Sequence, residues 1–126
     1  MPVPRISKET LKARLDGGDP VGVPTLVDAR LKYPYEHSAM KLPGAIRIAP
    51  TDLGAMPSLP HDRDIVAYDS DPHELSSSKV AAELIRRGYK ASALEGGIAA
   101  WIEAKLPTEA KEAPKQAAPA PGSLKD

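Results

Sequence analysis

Apolar positions arrive along this chain in short blocks whose spacing changes from one segment to the next. In "SKETLKARL", Leu11 and Leu15 recur at helical spacing behind Ser7, which predicts a helix from about Lys8 to Leu15, capped by Ser7 and stopped by the "DGGDP" punctuation. "PTLVDAR" holds a short apolar run, read as a buried strand over Thr25 to Asp28. "LKYPYEHSAMKLPG" has too little period for a long element and reads as a loop with a helical turn. "AIRIA", Ala45 to Ala49, alternates like a strand, and "PTDLGAMPSLPHDRD" is a proline-punctuated connection with a helical turn near Asp52. "DIVAYD" is the best strand pattern. Leu75 to Arg87 is the best helix, with Val80, Ala81, Leu84 and Ile85 in one stripe, Lys79, Glu83 and Arg86 off it, and Gly88 behind it. "SALEGG" reads as a strand running into glycines, and "IAAWIEA" as a final helix with Ile98 and Trp101 in the core. Strands alternating with helices at these lengths predict an α/β domain with a mostly parallel sheet. From Thr108 onward, "TEAKEAPKQAAPAPGSLKD" has almost nothing to bury. The expected organisation is therefore one domain over residues 1–107 and a disordered Ala/Pro/Lys-rich tail over residues 108–126.

Composition narrows the chemistry. Lys+Arg and Asp+Glu both number 17, so no strongly basic face is expected, and neither nucleic acid nor an anionic membrane is an expected partner. No apolar run approaches the roughly 18 residues of a membrane span, and "MPVPRISKETLK" lacks the apolar stretch of a signal peptide; the expected location is cytoplasmic. The chain has no cysteine, which removes disulfides, thiolate metal sites and thiol nucleophiles together. No cofactor is indicated.

In open α/β sheets, ligands bind beyond the carboxyl ends of strands, where loops lead into helix N-termini carrying unpaired N–H groups. "DSDPHE", Asp69, Ser70, Asp71, Pro72, His73 and Glu74, stands at that place after the best strand. Such a turn suits an anion. A carboxylate at Asp69 would itself be favoured there by about 0.3–1 kcal/mol, up to about 2 when partly buried. "DPHE" also reads as a capping box, with Asp71 as N-cap, Pro72 in the first turn and Glu74 at the third helical position; Ser76 is a competing cap.

Four stretches, "LVDAR", "YEHSAMKLPGAIRI", "IVAYDSDPHELSSSKVAAELIRRGY" and "LEGGIAAW", resemble in order and spacing the landmarks of the rhodanese-like domains, over roughly Ser7 to Pro107. The resemblance implies a single domain with a central, mostly parallel five-stranded sheet flanked by helices. It also implies a catalytic cysteine at the end of the central strand, which carries a persulfide during sulfur transfer. In relatives with a "YCxCPxE" loop the nucleophile falls on Asp69 and the second cysteine on Asp71. Lys41 stands where many relatives have histidine before "PGA", and Asp28 and Arg30 fall near the site mouth, where the fold usually makes an ion pair or turn. A carboxylate cannot accept a sulfane sulfur to form a persulfide, so the implied sulfurtransferase chemistry is absent.

Two classes of function follow. The first is a catalytically inactive rhodanese-like module, a binding, regulatory or scaffold domain with a remnant anion-binding loop, whose partner is another protein or a small anion. The second is an enzyme. "VAYDSD" matches the DxD opening of Mg-dependent phosphatases, with Asp69 as nucleophile and Asp71 as acid/base, although only Glu95 supplies acid after the helix. An engineered exchange of two cysteines for aspartates in a sulfurtransferase would leave the same pattern, but Ser or Ala is the usual replacement. Asp69, Asp71, His73 and Glu74, with His37, match no strong metal spacing, and none is expected to hold a metal. His61 in its proline-flanked loop is expected to be solvated. Ser76, Ser77 and Ser78 lack the histidine and acid of a serine nucleophile.

Overall fold

A computed structural model describes residues 3–17, 23–51, 53–55, 59, 61–70 and 74–110. Its elements, in chain order, are β1 (Arg5–Ile6), α1 (Lys8–Asp16), β2 (Thr25–Asp28), α2 (Lys32–Glu36), β3 (Met40–Lys41), β4 (Ile46–Arg47), a 3-10 turn (Leu53–Ala55), β5 (Ile65–Tyr68), α3 (Leu75–Arg86), β6 (Ala91–Leu94), α4 (Gly97–Glu103) and β7 (Glu109–Ala110). Five strands form one parallel sheet in the order β1-β6-β5-β2-β4. The fold is the α/β architecture expected from the alternation, with helices on both faces.

The central strand divides the core because successive side chains of a strand point to opposite faces. Ile65 and Ala67 pack with Val27, Ile48, Val80, Ala81 and Leu84, which seats the apolar stripe of α3 on one face. Val66 and Tyr68 pack with Leu11, Leu26, Leu94, Ile98 and Trp101, which seats α1 and α4 on the other. All four residues of β5 are completely buried. Each fully buried Leu, Ile or Val side chain contributes about 1.5–3 kcal/mol by leaving water. Ser7 caps α1 as expected, accepting the Thr10 N–H at 3.1 Å.

Three short strands differ from the pattern-based expectation. β1 holds two residues, too few to show a period, and pairs with Ala93 and Leu94 of β6. The Ala93 N–H donates to the Pro4 carbonyl at 2.9 Å, but Pro4 has no N–H to return, so the ladder stops there. The alternating stretch Ala45 to Ala49 contributes only Ile46–Arg47 to the sheet. The third difference moves the expected boundary at Pro107. Glu109–Ala110 pairs antiparallel with Met40–Lys41, so the folded part runs past the position where composition ended it. Main-chain pairing needs no apolar side chain, and Glu109 adds its own anchor by accepting the Gly44 N–H at 2.7 Å. The rest of the expected tail, residues 111–126, lies outside the described residues. Among the described residues, no helix is long and apolar enough to cross a membrane.

Candidate functional site

β2 and β5 lie side by side and in register, with Asp28 opposite Tyr68, so their carboxyl ends open at one level. Each strand delivers a buried carboxylate there. Asp28 closes β2, Asp69 follows β5, and each is only 1% exposed.

Among the described contacts, main chain holds Asp69. Its Oδ2 accepts the Ser77 N–H at 2.6 Å, and its carbonyl accepts the Ile98 N–H at 2.9 Å. Ser77 lies in the first turn of α3, where N–H groups have no intrahelical acceptor. Asp69 therefore caps α3 from the strand before it, at the positive end of the helix dipole. The approach of the neighbouring turn depends on glycine. Gly96 and Gly97 have φ of +76° and +62°, and a Cβ on Gly97 would stand 2.1 Å from the Asp69 carbonyl oxygen.

Glu74 corrects the expected capping box. α3 begins at Leu75, so Glu74 occupies the N-cap position instead of the third helical one, makes no side-chain cap bond, and has the left-handed φ of 59°. Its carboxylate turns away from the helix because a stronger partner is available. Arg5 on β1 donates Nε and Nη2 to its two oxygens, both at 2.7 Å, and the Gly96 N–H adds a third bond at 3.1 Å. Ser76, the competing cap, is buried inside the first turn, and Ser77 Oγ donates to the Glu74 carbonyl at 3.3 Å. Ser70 is half-buried. Asp71, Pro72 and His73 lie outside the described residues.

Asp28 is held chiefly by the Arg30 side chain, and the Arg30 N–H adds a main-chain bond to Oδ1 at 3.2 Å. Arg30 grips it with Nε at 2.9 Å from Oδ1 and Nη2 at 2.6 Å from Oδ2, and Nη2 also donates to the Met40 carbonyl at 3.0 Å. The ion pair matches the expectation, and Asp28 and Arg30 are both 1% exposed. Burial works against the Arg30 charge, and the hydrogen bonds and field of Asp28 outweigh it, raising its pKa. Arg47 joins from β4, donating to the Asp28 carbonyl at 3.1 Å with its guanidinium 4.1 Å from the centre of the Tyr35 ring. Its pKa is lowered, chiefly by burial. The Tyr68 hydroxyl accepts the Leu42 N–H at 3.1 Å, and burial first, then the adjacent Asp28, pushes the phenol far above its ordinary range.

The remaining candidates are scattered. Among the described residues no three His, Cys, Asp or Glu side chains gather where they could hold a metal. His37 is exposed and tilts against Tyr33 with ring centres 4.2 Å apart; His61, exposed as expected, stacks on Tyr89 at 4.0 Å. Lys41 reaches the Ala45 carbonyl at 3.3 Å and Glu109 at 3.8 Å. Sequence reasoning missed Arg5 and the role of Ser77, since nothing local marks an arginine near the N-terminus as the partner of a distant glutamate. A groove of about 720 Å³ lined by Val3, Ile85, Tyr89, Lys90 and Ala91 lies at the opposite end of the sheet and includes none of these loop residues.

The family model for the rhodanese-like domain matches residues 7–104. No curated protein matches the chain. Solved structures do. The Alr3790 protein from Anabaena sp. is 29% identical with a TM-score of 0.67, covering 82% of this chain and 81% of that one. A rhodanese-like domain protein from Staphylococcus aureus is 24% identical with a TM-score of 0.64, covering 78% and 90% respectively. A thiosulfate sulfurtransferase from Pseudomonas aeruginosa is 25% identical with a TM-score of 0.65, but the match covers 85% of this chain and only 19% of that larger one.

Proposed function

The chain belongs to the rhodanese-like domain family, and from that premise we propose that it is a catalytically silent member whose anion site is filled by its own Asp69. It acts by binding a protein partner, as a regulatory or scaffold module. The family's persulfide chemistry needs a thiol, and this chain has no cysteine to supply one. The observation that carries the reading is the Asp69 carboxylate, 1% exposed, bonded at 2.6 Å to the Ser77 N–H at the start of α3. An internal carboxylate in that position meets the need that a bound anion would otherwise meet. The same burial disfavours the phosphatase alternative, because a nucleophilic aspartate must present a free oxygen to the substrate.

Two measurements test the reading. The purified protein yields no thiocyanate from thiosulfate and cyanide above background; protein-dependent thiocyanate would refute a silent site. Sulfate leaves the melting temperature of the native protein unchanged beyond its general salt effect. In Asp69→Ala, sulfate raises the melting temperature in proportion to its occupancy, because a ligand that binds only the folded state stabilises it by mass action. If sulfate stabilises the native protein as much as the alanine variant, Asp69 does not fill the site.

A further inference from the structure

Glu74 is an odd residue to find where it is. It is a carboxylic residue buried to 4% exposure, in a left-handed backbone conformation that residues other than glycine seldom adopt. Among the described contacts, two hydrogen bonds from Arg5 on β1 and one from Gly96 in the turn between β6 and α4 hold it there. The helix that follows, α4, also holds Asp69, through the Ile98 N–H at 2.9 Å. Main chain leads from Glu74 directly into the first turn of α3, where its carbonyl accepts the Ser78 N–H at 3.0 Å and the Ser77 hydroxyl at 3.3 Å. One frame thus fixes both the residue that fills the anion site and the N–H that recognises it. Arg5, whose side chain is 53% exposed, is the part of this frame that faces solvent, with Glu95 at 3.9 Å as its second acidic neighbour.

We propose that Arg5 is the positioning residue of the anion site: by neutralising and gripping Glu74, it fixes the first turn of α3 so that the Ser77 N–H is presented to the side chain at position 69. This rests on the reading of Asp69 given above and extends it. The site's geometry is set by an ion pair between the first strand and the loop, independently of which acid or thiol stands at position 69. Without Arg5, the buried Glu74 carboxylate loses its bidentate cationic partner, and its left-handed conformation loses contacts that offset its cost.

The test uses the full chain with Arg5→Met, which keeps the main chain and bulk of β1, and Arg5→Lys as the conservative variant. Amide hydrogen exchange is followed at Ser77 and at Val66 in the central strand. Arg5→Met speeds exchange at Ser77 at least about tenfold more than at Val66, and Arg5→Lys recovers part of that protection. Equal acceleration at the two amides, or none at Ser77, overturns the proposal by reducing Arg5 to a general stability residue.

A second arm separates this inference from the reading beneath it. In Asp69→Cys, the thiolate ultraviolet absorbance is followed against pH, with and without Arg5→Met; Arg5, Glu74 and Glu95 are the charged groups of the frame around it. The single variant ionises below the ordinary thiol value of about 8.5, and adding Arg5→Met moves the midpoint upward by about one pH unit. A low midpoint that ignores Arg5→Met leaves the anion site standing and overturns the role of Arg5. A midpoint at the ordinary value with Arg5 present overturns both.

Discussion

Asp28 closes one strand, Asp69 follows its neighbour, and the two are equally buried; among the described contacts a guanidinium grips the first, and the second meets peptide N–H groups without one. Asp28 faces a guanidinium two residues away, itself buried and in need of a counter-charge. Asp69 faces a helix start, where the described donor is a peptide N–H that remains neutral whatever happens to its partner. The difference is one of reversibility. A buried ion pair fails badly when one member is removed, because the other stays behind as an uncompensated charge. A backbone donor left alone loses a hydrogen bond and can take another acceptor. The first arrangement suits a structural brace, and the second suits a position where chemistry can be exchanged without losing the fold.

The largest effect is expected from breaking the brace. Asp28→Ala leaves Arg30 buried without its counter-charge and costs about 3–5 kcal/mol in chemical denaturation, whereas Asp69→Ala costs about 0.5–2 kcal/mol, the usual range for loss of a helix cap. Equal costs at the two positions would erase the distinction. Gly97→Ala comes next. The left-handed conformation alone costs about 1–2 kcal/mol for a residue with a side chain, and the added Cβ, 2.1 Å from the Asp69 carbonyl, forces the turn away from the site. Its signature is a reduced melting temperature together with loss of protection at the Ile98 amide. Gly88→Ala serves as the control, since its φ is also positive at +95° but its added Cβ meets nothing within 4 Å.

The brace was legible only through the family resemblance, which puts an ion pair or a turn at Asp28 and Arg30, and the exchangeable site was legible in part. The position of Asp69 was legible too, from "IVAYD" followed by a helical stripe. The capping box was misread because "DPHE" satisfies a local pattern, while a bidentate arginine sixty-nine positions away offers Glu74 more than a helix N–H does. Local periodicity also cannot register two-residue strands such as β1, β3 and β7, whose stability comes from partners far along the chain.

The end of the chain gives a smaller test of how far the fold extends around this rim. Truncation after Ala110 removes only residues outside the described fold and should leave the melting temperature unchanged. Truncation after Pro107 also deletes β7 and the Glu109 bond to Gly44, and should lower stability by about 1 kcal/mol. If both truncations melt alike, β7 contributes nothing.

The smallest effect concerns the far end of α3, remote from both carboxylates. Hydrogen bonds from Arg86, then Arg87, hold the Glu83 carboxyl down at about 2. A depressed folded-state pKa gives stability that is present above the unfolded value and is lost as pH falls through the folded one. Glu83→Gln should therefore be slightly less stable than the native protein at neutral pH, with the difference closing between about pH 4.5 and pH 2. A difference that is constant across that interval would mean the exposed arginines contribute only contact.

The ladder between Arg5–Ile6 and Ala93–Leu94 joins the beginning of the described chain to the last strand of the sheet. During synthesis, the first strand has no docking edge until β6 has left the ribosome, and by then every other strand of the sheet is available. Closure of this edge is thus a late, non-local event with a high loop-closure cost, the kind of contact that slows folding. Because Arg5 arrives with that strand, the loop after β5 acquires its final shape only when the sheet is complete, and a nascent or partly unfolded chain would display Glu74 and the start of α3 without their lock. Refolding kinetics should show the Ser77 amide gaining protection in the same phase as Ala93, after the Val66 amide of the central strand.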